Sequence, residues 1–219
     1  MVSLPFQKKN GGEKTHCESK PSPESEKPQG KDPHELCRRK SAMLRKIIER
    51  YREQIEMGES KTVPDLKNLL DPKNRAVQQV KQEIEDKFHP YLYEQNFEEA
   101  AKKAFEFLRD KIENEALPVD FWLSPDDVLE LGLADEMDKA LFLCSILIAL
   151  DNETARVVVE TNGHRHAFVM FEFGGKFHLM DTVHDINISG SREEVIGKHL
   201  MGHDYKLVYE FSQKGYEEW

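Results

Sequence analysis

Three short segments in the second half of the chain carry residue types that can act together as a nucleophile, a base and an orienting acid. Residues 135–140 (Asp-Glu-Met-Asp-Lys-Ala) open an apolar helix, His166 lies on a predicted strand, and Asp181 ends the next strand. A nucleophile at a helix N-terminus faces the positive end of the helix dipole, which favours a thiolate. A neighbouring histidine can move its proton, and an aspartate can fix the histidine tautomer. This order is typical of a site for thiol-dependent acyl transfer.

The same segments resemble the transglutaminase-like superfamily, whose fold is related to that of papain. The family pattern is Gly-Asp-Cys-x-Asp-Lys-Ala, followed by an apolar helix, an Ala-Arg-Val-Val strand, a His-Ala-aromatic strand and a strand that ends in Asp before Pro or Thr. In this chain the matching segments are 134–140, 155–158, 166–168 and 181–182. The likeness covers residues 96–185.

The resemblance assigns the catalytic positions to Glu136, His166 and Asp181, but Glu136 stands where the family has its cysteine. A carboxylate cannot form a thioester, so the resemblance implies a degenerate member that has lost thiol acyl transfer. Cys144 lies eight residues further along the same helix, or roughly 12 Å at the rise of an α-helix. We interpret it as a small core residue and not as a replacement nucleophile.

Three uses of the Glu136, His166 and Asp181 cluster follow from its chemistry. It can be a salt-bridged relic, which we favour, a metal site that includes His164 on the same strand face, or an acid–base site that activates water. We predict no resident metal and no cofactor. Trp122 is either a wall of the former cleft or an ordinary packing residue, and we favour packing. Four further histidines are predicted to be surface or loop residues rather than ligands: His178, His184, His199 and His203.

Hydrophobic periodicity predicts helices first and strands in the last third of the chain. Asn96, Ser124 and Asp135 are predicted N-caps, and the helix after Asp135 is apolar almost all round, which is typical of a buried helix. The pattern predicts an α+β fold in which a buried central helix packs on an antiparallel sheet, preceded by an N-terminal helical extension. The helices are predicted at 33–57, 73–88, 96–114, 125–131 and 136–150, and the strands at 155–160, 164–173, 176–181 and 205–211.

The predicted organisation has four parts. They are a disordered leader at 1–33, the helical extension at 34–92, the transglutaminase-like core at 93–213 and a C-terminal tail at 214–219. The leader is rich in Lys, Glu, Ser, Pro and Gly and has too few apolar residues to offset its chain entropy. Within the core, residues 182–203 are predicted to be irregular, and the sequence leaves open whether they cover the cleft.

Composition excludes several classes of protein. The net charge is −10, and because residues 1–40 carry nine Lys/Arg and six Asp/Glu, the remainder carries −13. An acidic domain repels phosphate, so a nucleic-acid partner is not expected.

The three widely spaced cysteines contain no CxxC pair, which argues against a disulfide framework or a thiolate zinc site. No apolar run reaches the roughly 20 residues of a membrane span, and no signal peptide is visible. These features predict a cytoplasmic protein.

The function predicted from the sequence is that of a non-catalytic module that binds a protein or peptide in the former cleft. The enzyme alternative is an amide or peptide hydrolase that uses the Glu-His-Asp cluster, with or without a metal. A third alternative is an assembly protein that acts through the N-terminal helix at 36–57. The sequence fixes neither the partner nor the oligomeric state.

Overall fold

The computed structural model describes residues 33–53, 68–116, 122–161, 165–200 and 207–218. The chain divides into two compact units, Met1–Ala42 and Met43–Trp219. Every site discussed below lies in the second unit. Residues 1–32 of the predicted leader lie outside the described residues, and so do residues 162–164, at the junction of the first two predicted strands.

Six helices are assigned within the described ranges. Ser124 and Asp135 cap helices as predicted, because their side-chain oxygens accept from the backbone N–H of Asp127 and Asp138. Asn96 is not an N-cap: the helix already begins at Tyr93, and the Asn96 Oδ1 accepts from the N–H of Leu92 at 2.9 Å from inside the helix. None of the described helices is long and apolar enough to cross a membrane. Their bounds are α1 Pro33–Arg50, α2 Arg75–Glu85, α3 Tyr93–Lys111, α4 Pro125–Leu131, α5 Glu136–Ala149 and α6 Arg192–Leu200.

The strands form one large antiparallel sheet and one small parallel ladder. The large sheet has the strand order β6-β5-β4-β3-β7-β8, and the ladder pairs β1 with β2 just before α5. The strand bounds are β1 Glu113–Asn114, β2 Leu133–Ala134, β3 Arg156–Thr161, β4 Arg165–Phe173, β5 Lys176–Asp181, β6 Ile186–Gly190, β7 Leu207–Phe211 and β8 Tyr216–Glu218.

The buried helix α5 packs on one face of this sheet. Helix α5 contacts the central strands β3 and β4, and Phe142, Leu143 and Leu147 are completely buried. The predicted α+β class, with a central helix on an antiparallel sheet, is confirmed. The face toward α5 carries Val157, Val159, Ala167, Val169 and Phe171, whereas the opposite face carries Val158, Phe168, Met170, Leu179 and Val208.

The prediction of an irregular region at 182–203 was wrong over much of its length. Strand β6 extends the sheet beside β5, and α6 packs on β5 and β6 with Val195 buried. Strand β6 has only two apolar residues, Ile186 and Ile188, in five positions, which is too short an alternation to identify a strand. Within residues 214–219, which we predicted as the C-terminal tail, the edge strand β8 pairs with β7.

Candidate functional site

Three neighbouring elements bring the predicted site residues to one end of the sheet. The Asp135 side chain accepts from the Asp138 N–H at 2.8 Å and so fixes Glu136 as the first residue of α5. His166 lies at the start of β4, and Asp181 is the last residue of β5. These two strands pair in antiparallel register. Because alternate residues of a strand share a face, this register puts His166 and Asp181 on the same face of the sheet, and His166, near the start of β4, reaches the N-terminus of α5.

The imidazole of His166 lies between two carboxylates. Its Nδ1 is 2.8 Å from Glu136 Oε2, and its Nε2 is 2.9 Å from Asp181 Oδ2. The Asp181 side chain is completely buried, that of His166 is 13% exposed, and that of Glu136 is 33% exposed. The structure therefore joins the three predicted positions in one continuous hydrogen-bonded array, with Glu136 on the solvent side.

The charges in this array shift two pKa values in opposite directions. Burial lowers the pKa of His166, but hydrogen bonds and charge attraction from Asp181 and Glu136 outweigh burial and raise it to about 10. Burial raises the pKa of Asp181, but His166 and His184 outweigh it and hold that pKa well below its usual range. A pKa raised in this direction favours the doubly protonated ring at neutral pH, in which neither nitrogen has a lone pair to accept a proton.

Asp181 is the centre of a larger polar cluster than the sequence predicted. Its Oδ1 accepts from the backbone N–H groups of Val183 and His184 at 3.0 and 3.1 Å. Its Oδ2 lies 2.9 Å from Nε2 of His166, 2.9 Å from Nδ1 of His184 and 3.6 Å from Nε2 of His199. Three imidazole nitrogens therefore surround one carboxylate oxygen.

The histidines predicted to lie on the surface occupy three different environments. The prediction of a surface position for His199 was wrong. Its side chain is only 5% exposed, and its ring packs edge-on against Phe168 with the ring centroids 4.5 Å apart. His178 is also buried, and its ring stacks on Phe171 on the α5 face of the sheet. His184 lies in an exposed turn, as predicted, but contacts Asp181. His203 and His164 lie outside the described residues.

A cavity of about 260 Å³ opens beside the N-terminus of α5. Its walls combine apolar side chains with two carboxylates and an amide, from Asn114, Ala116, Trp122, Asp135, Glu136, Met137 and Ala167. Trp122 packs against the core and also forms one wall, so the cleft interpretation that we ranked second describes its position.

The buried Asp138 side chain holds the Trp122 wall in place, a role that the sequence did not reveal. Its Oδ1 accepts from the Leu123 N–H at 2.9 Å, immediately after Trp122. Lys139, the next residue of the helix, is 2% exposed, and burial lowers its pKa while the Asp181 charge opposes that shift. The sequence did carry a signal for the special environment of Asp138 and Lys139, since both are charged residues in the first turns of an otherwise apolar helix.

Cys144 has the environment of a core residue. It is completely buried in α5, and burial raises the pKa of its thiol well above the usual range. A thiol that stays protonated is a poor nucleophile. The burial of Cys144 therefore supports the interpretation that it is a core residue and not a replacement nucleophile.

Comparison with known proteins gives the chain no family assignment. No protein-family model matches it, and no curated protein matches it. Similar solved structures include three of LapG from Legionella pneumophila, among them a calcium-bound form and an EGTA-treated form. Each is 15% identical, with a TM-score of 0.46, and the match covers 71% of this chain and 84 to 87% of LapG. Similarity at this level identifies neither a family nor an activity, so function has to be inferred from this chain's own residues.

Proposed function

We propose that this protein is a non-catalytic, transglutaminase-like module that binds a peptide segment in the cavity beside α5. The carrying observation is the 2.8 Å contact between Glu136 Oε2 and His166 Nδ1. It puts an acceptor carboxylate where the family resemblance places the thiol, and it occupies the ring nitrogen that a nucleophile would use. With Cys144 buried, no other described cysteine side chain offers a nucleophile.

The cavity walls favour one kind of ligand. Trp122, Met137 and Ala167 offer apolar surface, and the carboxylates of Asp135 and Glu136 lie beside them. An aromatic wall next to acidic groups suits a basic side chain with an apolar stem or an apolar neighbour, because the carboxylates stabilise the charge while the rings cover the stem. The expected ligand is a peptide segment with Lys or Arg next to an apolar residue.

A displayed peptide library selected on the full-length protein tests this proposal. Selected peptides are then measured by fluorescence anisotropy against three variants. Trp122→Ala should weaken binding by roughly 10-fold or more, as expected for a buried aromatic contact. Glu136→Lys should weaken the binding of basic peptides, whereas Glu94→Lys, the same charge change in an exposed first turn of α3, should not. Selected peptides that bind all three variants as tightly as the wild type would refute the proposal.

Mass spectrometry of the selected peptides, after incubation with the protein, separates binding from hydrolysis. Intact peptides agree with a non-catalytic module. Cleavage that disappears in Glu136→Gln and in His166→Gln would favour the alternative hydrolase, which the continuous array of Glu136, His166 and Asp181 supports.

A further inference from the structure

We propose that His166, Asp181 and His184 form a binding site for a zinc ion, a property beyond the proposed peptide binding. The starting observation is the crowding around one oxygen, Asp181 Oδ2, by ring nitrogens of three histidines at 2.9, 2.9 and 3.6 Å. A carboxylate oxygen has two lone pairs and accepts two well-formed hydrogen bonds. A cation at the centre of these groups is a better partner for the convergent nitrogens than a third hydrogen bond to the same oxygen.

The distances agree with zinc coordination. One ligand atom from each of His166, Asp181 and His184 lies within 4.8 Å of the others. In a tetrahedral site with bonds of about 2.0–2.1 Å, ligand atoms lie about 3.3 Å apart, so the 2.9 Å separations need to open by only a few tenths of an ångström. The rings of His166 and His184 are inclined at 76° with centroids 4.6 Å apart, so they can approach a common point from different directions.

Glu136 has a defined role in this arrangement. Histidines that bind zinc through one ring nitrogen usually donate the other N–H to a carboxylate, which fixes the tautomer. Glu136 Oε2 lies 2.8 Å from Nδ1 of His166, and the other ring nitrogen, Nε2, faces Asp181 and is the one that would bind the metal. The residue that replaces the family cysteine thus becomes the outer partner of a metal ligand.

The donor set selects the class of metal. Two imidazole nitrogens and one carboxylate oxygen suit zinc and other divalent transition ions, whereas calcium and magnesium prefer oxygen ligands. Entry is possible from the turn after β5, where the His184 side chain is 55% exposed. His199, with Nε2 at 3.6 Å from Asp181 Oδ2, lies nearby and is a candidate for the fourth position after a small shift.

Zinc titration of the chelator-treated full-length protein tests the site, with a chromophoric chelator as competitor. One equivalent should bind. Glu136→Gln should weaken the affinity roughly 10- to 100-fold, as for other outer partners of metal ligands, and His184→Ala should weaken it by at least as much. His184 is on an exposed turn, so its substitution is compatible with folding, which circular dichroism checks. The matched control is His89→Ala, an exposed histidine outside the cluster, which should leave the affinity unchanged.

Cobalt substitution provides the second measurement. Cobalt bound by this cluster should give the visible absorption of a tetrahedral site, and the bands should be lost in His184→Ala but kept in His89→Ala. Absence of zinc binding in the wild type would overturn the proposal. So would binding that is equally tight in His184→Ala, since the zinc would then be held elsewhere in the chain. Peptide binding in the Trp122 cavity does not require the metal, so the two proposals can fail separately.

Discussion

Introducing a cysteine at position 136 tests whether Glu136 occupies the position that the resemblance assigns to a nucleophile. In Glu136→Cys, the Sγ atom is bonded directly to Cβ and lies about 2 Å closer to the backbone than a glutamate oxygen. With Glu136 Oε2 at 2.8 Å from His166 Nδ1, the new thiolate would lie about 4.8 Å from the imidazolium. At an effective dielectric constant of about 20, that charge pair is worth about 3.5 kcal/mol, or about 2.5 pKa units. The thiol pKa should therefore fall from about 8.5 to about 6.

The assay is the pH dependence of alkylation by iodoacetamide, with Cys17 and Cys37 replaced by serine. At pH 6 the thiolate fraction should rise about 160-fold, while the lower basicity reduces its intrinsic nucleophilicity about 13-fold. The net acceleration is about 12-fold at pH 6 and only about 2-fold at pH 7. The position of the midpoint, and not the rate at neutral pH, is therefore the decisive quantity.

Two controls separate the imidazolium from the helix. Adding His166→Gln to Glu136→Cys should return the midpoint most of the way to that of an ordinary thiol. Glu94→Cys puts a thiol in the first turn of α3, where no histidine pairs with Glu94 in the described contacts, and reports the effect of the helix dipole alone. A midpoint near 8.5 in Glu136→Cys would show that position 136 does not correspond to the family cysteine.

Three further predictions concern the scaffold. Burial lowers the pKa of His178. The stability associated with its neutral form is therefore present above pH ~6.5 and is lost as the pH falls below that value. In urea unfolding, His178→Phe should lose less free energy of unfolding between pH 7 and pH 5 than the wild type, and equal losses would contradict this assignment. Tyr51→Phe removes the hydroxyl that donates to the buried Asp127 and should cost about 1–3 kcal/mol. Tyr216→Phe, whose hydroxyl donates to the exposed Glu218, should stay within about 0.5 kcal/mol. Gly132 ends α4 with φ of 66°, so Gly132→Ala should lower the free energy of unfolding by about 1 kcal/mol, and an unchanged value in the same urea experiment would contradict that cost.

The parts of the fold that follow local rules were predictable from the sequence. Ser124 and Asp135 cap their helices through side chains that act within three residues, so the rule can be read without knowledge of the fold. Asn96 obeys the same sequence rule but is not a cap, because tertiary contacts extend the helix to Tyr93. The Tyr93 ring packs on Phe97 and Phe173, and its hydroxyl accepts from the side chain of Asn152.

The site was predictable in its order but not in its full membership. The spacing of Glu136, His166 and Asp181 follows from one helix start and two strands, which sequence patterns locate well. The approach of His184 and His199 to Asp181 depends on the turn after β5 and on the docking of α6. Neither has a strong periodic signal, and the turn contains Asp185 with φ of 55°, a conformation that few residue types adopt readily.

A carboxylate at position 136, where the family resemblance predicts a thiol, changes the charge that the site requires. A cysteine can be neutral when its histidine is neutral, so a thiol site can exchange one proton internally. Glu136 and Asp181 instead hold two carboxylates on opposite nitrogens of one imidazole, and this arrangement is stable only with a positive charge between them. A proton on His166 supplies that charge in the ligand-free protein, and a zinc ion bound by His166, Asp181 and His184 would supply it in the metal-bound protein. In neither state does the site hold a thiolate that could attack an acyl group, so a carboxylate at position 136 accounts both for the proposed loss of acyl transfer and for the proposed metal site.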